Sequence, residues 1–265
     1  MPDFQIIGIM LVHDEDRFLR RAAENVLGFC DRLLIAEHRS IDATWEIAQD
    51  LARAHPKVEA HRIRDPRESN EMLQPFAGSR TWVLGVDGDE IYDPAGLAAF
   101  RTELERGDWD QWWTIFGNVL NCRELDETAR TARGWMAPPC RSMTKLYNFA
   151  LVSRLDPDAK QRLMGRADVF KEGFHAGLRC ELYKTAAWDD ARFRCLHTCF
   201  LPRSSRHVEG LRGRENLTEL SLHSPLAWLR RGWAHLRGAA AESRYKSDKY
   251  QRGPLIAIDA SPFFS

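Results

Sequence analysis

The stretch RTWVLGVDGDEIYDP, residues 80–94, changes within a few positions from an apolar run to a dense group of acids. Residues 82–86 predict a buried β-strand, and Asp87, Asp89 and Glu90 follow it directly. Carboxylates this close repel one another unless a cation lies among them. Hard oxygen ligands suit Mg²⁺ or Mn²⁺, which bridge protein carboxylates to substrate phosphates. A solvated acidic turn is the alternative, but acids at the end of an apolar strand favour a metal site.

Strands and helices alternate in the chain before this stretch. Four apolar runs predict strands, and segments with helical spacing of apolar residues separate them. This alternation favours an α/β domain with a parallel sheet, in which ligands collect at the carboxyl ends of the strands. The predicted strands are 4–12, 33–36, 58–63 and 82–86, and the predicted helices are 17–29, 40–55 and 68–78.

Beyond residue 100 the pattern is less regular. The stretch 121–142 has mixed charge and ends in two prolines, which is typical of a loop or lid. Basic residues outnumber acidic ones from residue 201 onward, so we treat 201–265 as a C-terminal extension with a helical apolar stripe over 222–237. Further strands are predicted at 110–119, 145–152 and 193–200.

Composition excludes several classes of protein. The 38 basic and 38 acidic residues balance, which argues against a protein that coats nucleic acid through bulk charge. The sequence contains neither a membrane-length apolar run nor a signal-peptide pattern, and its six cysteines form no C-x-x-C pair, so we expect a reduced, cytoplasmic protein. Cys195 and Cys199 flank His197, which leaves a zinc site as an alternative to packed thiols. Glycine-rich dinucleotide and P-loop motifs are also absent from the sequence.

Two segments resemble the family 2 glycosyltransferases, which have a GT-A fold. They are IIGIMLVHDEDRFLRRAAENVLGFCDRLLIAEHRSIDAT, residues 6–44, and TWVLGVDGDEIYDP, residues 81–94. The family's Asn-Glu-like turn corresponds to Asp14-Glu15, its second turn to residues 37–44, and its D-x-D motif to Asp87-Gly-Asp89. Two departures concern the nucleobase pocket: Glu37 replaces the usual Asp, and His38-Arg39 replaces a small, Gly-containing pair.

The resemblance implies a fold and a division of the chain. We expect a GT-A-like (Rossmann-like) α/β fold, with a mostly parallel central sheet flanked by helices and a C-terminal helical extension. Residues 1–200 would form the catalytic domain, in which 1–100 bind the nucleotide sugar and 101–200 the acceptor. Residues 201–265 would form the extension.

The resemblance also implies an activity, since family 2 enzymes are inverting glycosyltransferases. A divalent cation, Mn²⁺ or Mg²⁺, would offset the charge of the leaving nucleoside diphosphate, and a UDP-sugar is the expected donor. One carboxylate must take the proton of the acceptor hydroxyl, and Glu172 is favoured over Asp190 and Asp189. The remaining roles are nucleoside and diphosphate binding for Leu11, Val12, His13, Glu37, Arg67 and Asp87, and metal ligation for Asp89 and His197.

The acceptor is predicted only by class, as a saccharide or a lipid-linked saccharide. Aromatic faces suit a sugar ring, so Trp109, Trp112, Trp113 or Trp135 is a candidate to line its site, although tryptophan is also core material. The stripe over 222–237 either contacts an anionic membrane surface or packs on its own domain. Two other functions stay open: a nucleotidyltransferase, and a degenerate module that binds nucleotide sugars without catalysis.

Overall fold

Two large sheets, a small strand pair and four α-helices form the part of the chain that the computed structural model describes, residues 4–142, 144–156, 168–206 and 249–265. The helices are α1 (Leu19–Val26), α2 (Thr44–Ala54), α3 (Glu68–Glu71) and α4 (Pro94–Arg106). The predicted helix over 68–78 is shorter than expected, because α3 is followed by a separate 3₁₀ turn, Gln74–Phe76.

The larger sheet has seven strands, and most of its neighbouring strands are parallel. Its order is β12 (Arg179–Glu181), β6 (Thr114–Phe116), β9 (Lys145–Asn148), β4 (Thr81–Val86), β1 (Gln5–Val12), β2 (Arg32–Glu37) and β3 (Val58–Arg62). Only β9 runs against its two neighbours, β4 and β6, within this described sheet. The predicted α/β fold with a mostly parallel sheet flanked by helices is therefore confirmed.

Both faces of this sheet are covered, which explains the continuous apolar run of β1. All eight residues of β1 are buried. Ile6 and Met10 pack with residues of α1, α2 and α4, whereas Ile7 and Ile9 face a second core that contains Leu73. A strand buried on both sides shows no polar alternation, as the sequence indicated.

The second sheet has five strands in the order β14 (Leu255–Asp259), β8 (Thr131–Ala137), β7 (Asn118–Asp126), β13 (Arg194–His197) and β5 (Glu90–Tyr92). The prediction of a loop or lid over 121–142 is wrong, because most of this stretch forms the antiparallel hairpin of β7 and β8. The end of the hairpin near its turn is solvent-exposed. Charged residues such as Arg123 and Glu124 therefore interrupt the apolar pattern that predicts a strand.

Two other predicted strands are divided in the structure. The stretch 110–119 contributes β6 to one sheet and β7 to the other, with Gly117 between them. A Cβ at Gly117 would lie 2.3 Å from the carbonyl oxygen of Phe193, so the chain crosses very close to β13 there. The stretch 145–152 contains β9, a 3₁₀ turn and the start of β10 (Val152–Arg154), which pairs with β11 (Val169–Phe170).

The end of the chain packs on the second sheet. β14 pairs with β8, and the buried rings of Phe263 and Phe264 share a core with Phe18 and Ile91. The helical stripe expected over 222–237 lies outside the described residues, and the domain boundary at residue 201 stays a prediction. In the described part of the chain, the helices fall short of the length and apolar character that crossing a membrane requires.

Candidate active site

The carboxyl ends of β4, β1 and β2 lie side by side, so the loops that follow them share one edge of the sheet. Met10 is paired with Val86, and Val12 is paired with Glu37. His13 and Asp87 come directly after β1 and β4, and Glu37 is the last residue of β2. Three segments that are distant in sequence are thereby brought together, as ligand sites of parallel sheets require.

The turn after β4 buries its acids. Asp89 and Glu90 are at most 1 % exposed. Glu90 Oε2 accepts hydrogen bonds from the Asp87 backbone N–H at 3.2 Å and from the Tyr92 hydroxyl at 3.0 Å. Burial and Glu90 raise the pKa of Tyr92 well above its usual value, so this hydroxyl stays protonated and donates. Gly88 admits the side chain of Glu15, whose Oε2 would lie 2.3 Å from a Cβ at that position.

His197 lies next to Asp89, although the two are 108 positions apart in the sequence. β13 pairs with β5 so that His197 faces Glu90 in the register. Its Nε2 is 3.6 Å from Asp89 Oδ2, and its Nδ1 is 2.9 Å from Asn121 Oδ1. Since the amide oxygen accepts, Nδ1 carries the proton and Nε2 faces the carboxylate.

A half-buried arginine completes the group of charges. Arg203 Nε is 2.9 Å from Asp89 Oδ2, and its Nη1 is 3.3 Å from Glu15 Oε1. Burial is the largest influence on Arg203 and disfavours its charge, yet Asp89 and Glu15 leave its pKa raised. Two contacts hold its backbone near the loop after β1: the Arg17 N–H donates to the Arg203 carbonyl, and the Ser205 N–H donates to Asp16. We name Glu15, Asp87, Asp89, Glu90, His197 and Arg203 the acidic-edge cluster.

A divalent cation fits two members of the acidic-edge cluster. Asp89 Oδ2 and His197 Nε2 have the spacing of two neighbouring ligands of one ion, and Asn121 fixes the imidazole as ligating histidines require. Within the described residues, no group of three or more His, Cys, Asp or Glu side chains is arranged to hold a metal. Mg²⁺ and Mn²⁺ suit such a site, because substrate phosphates and water commonly supply their other ligands.

The zinc alternative at Cys195 and Cys199 finds no support in this arrangement. The Cys195 thiol is buried beside the Thr144 hydroxyl at 3.1 Å, and burial raises its pKa far above the usual value. The imidazole of His197, which stands between the two cysteines in sequence, turns its Nε2 to Asp89 instead. A thiol that stays protonated is a poor zinc ligand.

The residues predicted to bind the nucleoside lie at the carboxyl edge of the sheet, and several of them make hydrogen bonds or ion pairs with other residues of the protein. Leu11 and Val12 are buried at the end of β1, and His13 Nδ1 donates to the His38 carbonyl at 2.6 Å. The Glu37 carboxylate is fully buried, where it binds Arg62 Nε at 2.8 Å and the Ser40 backbone N–H. It therefore closes its own turn in this structure.

Arg67 lies in the loop after β3, as predicted, and is well exposed. Its Nη2 is 2.7 Å from Asp65 Oδ2. The hydrogen bond from Arg67 lowers the pKa of Asp65. Arg67 thus stands at the rim of the carboxyl edge with its guanidinium held by a neighbouring carboxylate.

The structure does not bring Glu172 to the acidic-edge cluster. The preceding residue, Lys171, donates from Nζ to the carbonyl of Gly78 at 3.1 Å. Gly78 precedes β4, whereas Asp87 and Asp89 follow it, and a strand of this length spans about 17 Å. Glu172 is therefore at the opposite end of the strand.

Asp190 is also separate from the cluster. It lines a cavity of about 290 Å³ together with Asn118 and Phe193. Asn118 pairs with Arg194 at the start of β13, whereas His197 is at the end of that strand, about 10 Å further on. The base role predicted for Glu172 or Asp190 stays a prediction that this geometry does not support.

Sequence reasoning missed Arg203 and Asn121, and it noted Glu15 only as part of a turn. Asn121 falls in the stretch interpreted as a loop, and Arg203 falls in the part treated as an extension. Among the tryptophans, Trp113 is core, whereas Trp135 is paired with Asn121 and packs its ring against Phe200. Exposed and buried residues alternate only over the first four residues of β8, Thr131 to Gly134, so the sequence signal for this hairpin is short.

In comparisons with known proteins, this chain is similar to solved structures. No family model matches the chain, and no curated protein matches it in sequence. One similar solved structure is glucosyl-3-phosphoglycerate synthase from Mycobacterium tuberculosis in complex with Mn²⁺, UDP and phosphoglyceric acid, at 15 % identity and a TM-score of 0.36. The match covers 56 % of this chain and 57 % of that one, so it spans little more than half of the synthase.

Two further structures are similar to this chain. The mannosyltransferase PcManGT from Pyrobaculum calidifontis, in complex with GDP-Man and Mn²⁺, has 13 % identity and a TM-score of 0.41, over 98 % of this chain and 66 % of that one. A UDP-glucose pyrophosphorylase complexed with UDP-glucose has 10 % identity and a TM-score of 0.31, over 55 % and 76 %. Two of these three structures are glycosyltransferases, which is the likeness that the sequence predicted.

Proposed function

We propose that this chain is an inverting, divalent-metal-dependent glycosyltransferase. It moves a sugar from a nucleotide-sugar donor to an acceptor hydroxyl in the biosynthesis of a glycan, glycolipid or other glycoconjugate. The observation that carries the proposal is the convergence of Asp89 and His197 at 3.6 Å, at the carboxyl edge of the sheet. Two segments that are distant in sequence thus supply a carboxylate and an oriented imidazole where nucleotides bind in parallel sheets.

Each member of this site has a task in the transfer. When bound, the divalent cation offsets the charge that the nucleoside diphosphate gains as it leaves. Asp89 and His197 hold that cation, Asn121 keeps the imidazole in one tautomer, and Glu90 fixes the turn through Tyr92. The residues proposed to bind the donor are Leu11, Val12, His13, Glu37, Arg67 and Asp87.

A donor screen tests this function. Melting temperatures are measured with UDP-, GDP-, dTDP- and CDP-sugars, each with and without Mn²⁺. Linkage predicts stabilisation only by ligands that bind the folded protein, so we expect one sugar nucleotide, a UDP-sugar first, to stabilise the chain only when Mn²⁺ is present. Stabilisation by none of them would contradict the proposal. Slow Mn²⁺-dependent hydrolysis of the bound donor separates an enzyme from a non-catalytic module. Formation of a sugar nucleotide from a nucleoside triphosphate and a sugar 1-phosphate, with release of pyrophosphate, would indicate a nucleotidyltransferase.

Replacement of Asn121 by alanine is expected to lower Mn²⁺ affinity about 10- to 100-fold, because the amide that orients His197 is lost. Asn121→Asp keeps an acceptor at the same place and is expected to retain affinity close to wild type. Calorimetric titration with Mn²⁺ in the presence of UDP measures both. Equal Mn²⁺ affinity of the Asn121→Ala variant and the wild type would show that the imidazole of His197 does not need the Asn121 amide to orient it.

Glu172→Gln and Asp190→Asn are expected to leave Mn²⁺-dependent donor hydrolysis within about threefold of wild type, because neither side chain reaches the acidic-edge cluster. Steady-state hydrolysis rates of the donor found in the screen measure this. A loss of 100-fold or more in kcat for either variant, with unchanged melting temperature, would restore that residue as the general base.

A further inference from the structure

Arg203 contacts the same carboxylate oxygen of Asp89 that faces His197. Two distances meet at one oxygen: Asp89 Oδ2 is 2.9 Å from Arg203 Nε and 3.6 Å from His197 Nε2. An ion held by Asp89 and His197 has to share this oxygen with the guanidinium. Two positive groups cannot both contact one carboxylate oxygen at close range without strong repulsion.

The negative charge of the acidic-edge cluster explains why the guanidinium of Arg203 lies beside Asp89 when neither a metal ion nor a nucleotide is bound. Glu15 and Asp89 are both buried, and the charges of Asp89, Glu15 and Asp87 all act on the guanidinium of Arg203. Buried carboxylates at such proximity are unstable without a positive partner. Arg203 provides that partner from the segment that follows β13, and contacts with Arg17 and Asp16 hold this segment.

We propose that Arg203 is a resident counter-cation, which a divalent ion displaces from Asp89 and whose guanidinium then binds the diphosphate of the donor. This inference rests on the proposed function. The backbone contacts of Arg203 keep the displaced side chain near the cluster, where a diphosphate held by the metal would also lie. The guanidinium presents paired N–H donors that match phosphate oxygens, so it gains an anionic partner in exchange for the one it leaves.

If the ion pair of Arg203 and Asp89 were purely structural, removal of Arg203 would have the opposite effect on Mn²⁺ binding. If Arg203 only held the cluster together, its removal would disorder Asp89 and weaken the binding of Mn²⁺. If Arg203 competes with the ion, its removal leaves more negative charge for the ion and strengthens that binding. The affinity for UDP at saturating Mn²⁺ distinguishes the structural role from the proposed one a second time. Only a guanidinium that contacts the diphosphate affects this affinity.

Titration of unbound Mn²⁺ by electron paramagnetic resonance tests the inference on the whole chain. We expect Arg203→Met to bind Mn²⁺ about tenfold more tightly than wild type in the absence of nucleotide, and to bind UDP and GDP about 10- to 100-fold more weakly at saturating Mn²⁺. The control, Arg206→Met, changes an exposed arginine of the same segment and should match wild type in both titrations. Unchanged or weaker Mn²⁺ binding by a folded Arg203→Met variant would overturn the inference.

A measurement on the wild-type protein covers the case in which Arg203→Met does not fold. The Arg203 Nε–H, whose nitrogen lies 2.9 Å from Asp89 Oδ2 in the ion pair, should exchange slowly with solvent in the ligand-free protein. Mg²⁺ alone should speed that exchange, and added UDP should slow it again; an exchange rate that does not respond to Mg²⁺ would overturn the inference. If the wild-type protein binds neither Mn²⁺ nor nucleotide, the proposed function itself fails, which is a distinct outcome.

Discussion

Replacement of Asp89 by alanine is expected to abolish Mn²⁺-dependent donor binding and to reduce donor hydrolysis about 1,000-fold or more. Asp89 is fully buried, and its carboxylate is the acid that meets both His197 and Arg203. Its loss removes the ligand proposed to hold the cation against the leaving diphosphate, so the charge that develops in the transition state has no fixed counter-charge. Mn²⁺ titration and steady-state hydrolysis with the donor found in the screen measure the two effects.

The buried ion pair with Arg203 requires a control for folding. Asp89→Asn keeps the size of the side chain and the carbonyl that can accept from Arg203, so it tests ligation with less change in packing. Both variants should lose Mn²⁺-dependent stabilisation by the donor, whereas Asp190→Asn, a carboxylate outside the cluster, should keep it. Hydrolysis by a folded Asp89→Asn variant within tenfold of wild type would contradict the assigned role.

The second large effect is expected from Gly134→Ala, which should lower the free energy of unfolding by about 3 kcal/mol. A Cβ at Gly134 would lie 2.2 Å from the carbonyl oxygen of Asn121 and 3.0 Å from the Cα of Cys122. These are backbone atoms of the paired strand β7, so relief requires the hairpin to separate. The displacement would also move Asn121, which orients His197, and Mn²⁺ affinity should fall together with stability.

Urea denaturation measures this loss of stability, and the matched control is Gly85→Ala. A Cβ at Gly85 in β4 meets nothing within 4 Å, so this variant should unfold at the same urea concentration as wild type or at a higher one. An equal midpoint for Gly134→Ala and Gly85→Ala would contradict the close pairing of β7 and β8.

The first half of the fold was predictable because its signals are local. β1 and β4 are apolar runs buried on both faces, and the helices α1 and α2 show the helical spacing of apolar residues over two or three turns. The acids that end β4 follow directly, so their place at the carboxyl edge comes from the strand order of a parallel sheet. Asp87 and Asp89 were located by this reasoning, whereas His13 was implied by the resemblance to the family 2 glycosyltransferases.

The other half of the site depends on pairings that no local pattern reveals. His197 reaches Asp89 because β13 lies against β5 in a particular register, and Asn121 reaches His197 because β7 lies on the other side of β13. Arg203 follows that strand and turns back onto the loop after β1. Glu172 and Asp190 were chosen by residue type within a region whose topology was unknown, and the register places both elsewhere.

Diffraction at the manganese absorption edge, from a crystal of the protein soaked with Mn²⁺ and UDP, tests the central claim most directly. The account predicts one strong anomalous peak in contact with the Asp89 carboxylate, His197 Nε2 and the diphosphate, with Arg203 moved from Asp89 to the phosphate oxygens. Clear density for bound UDP with no anomalous peak at Asp89, or with Arg203 still on its carboxylate beside an ion bound elsewhere, would contradict it.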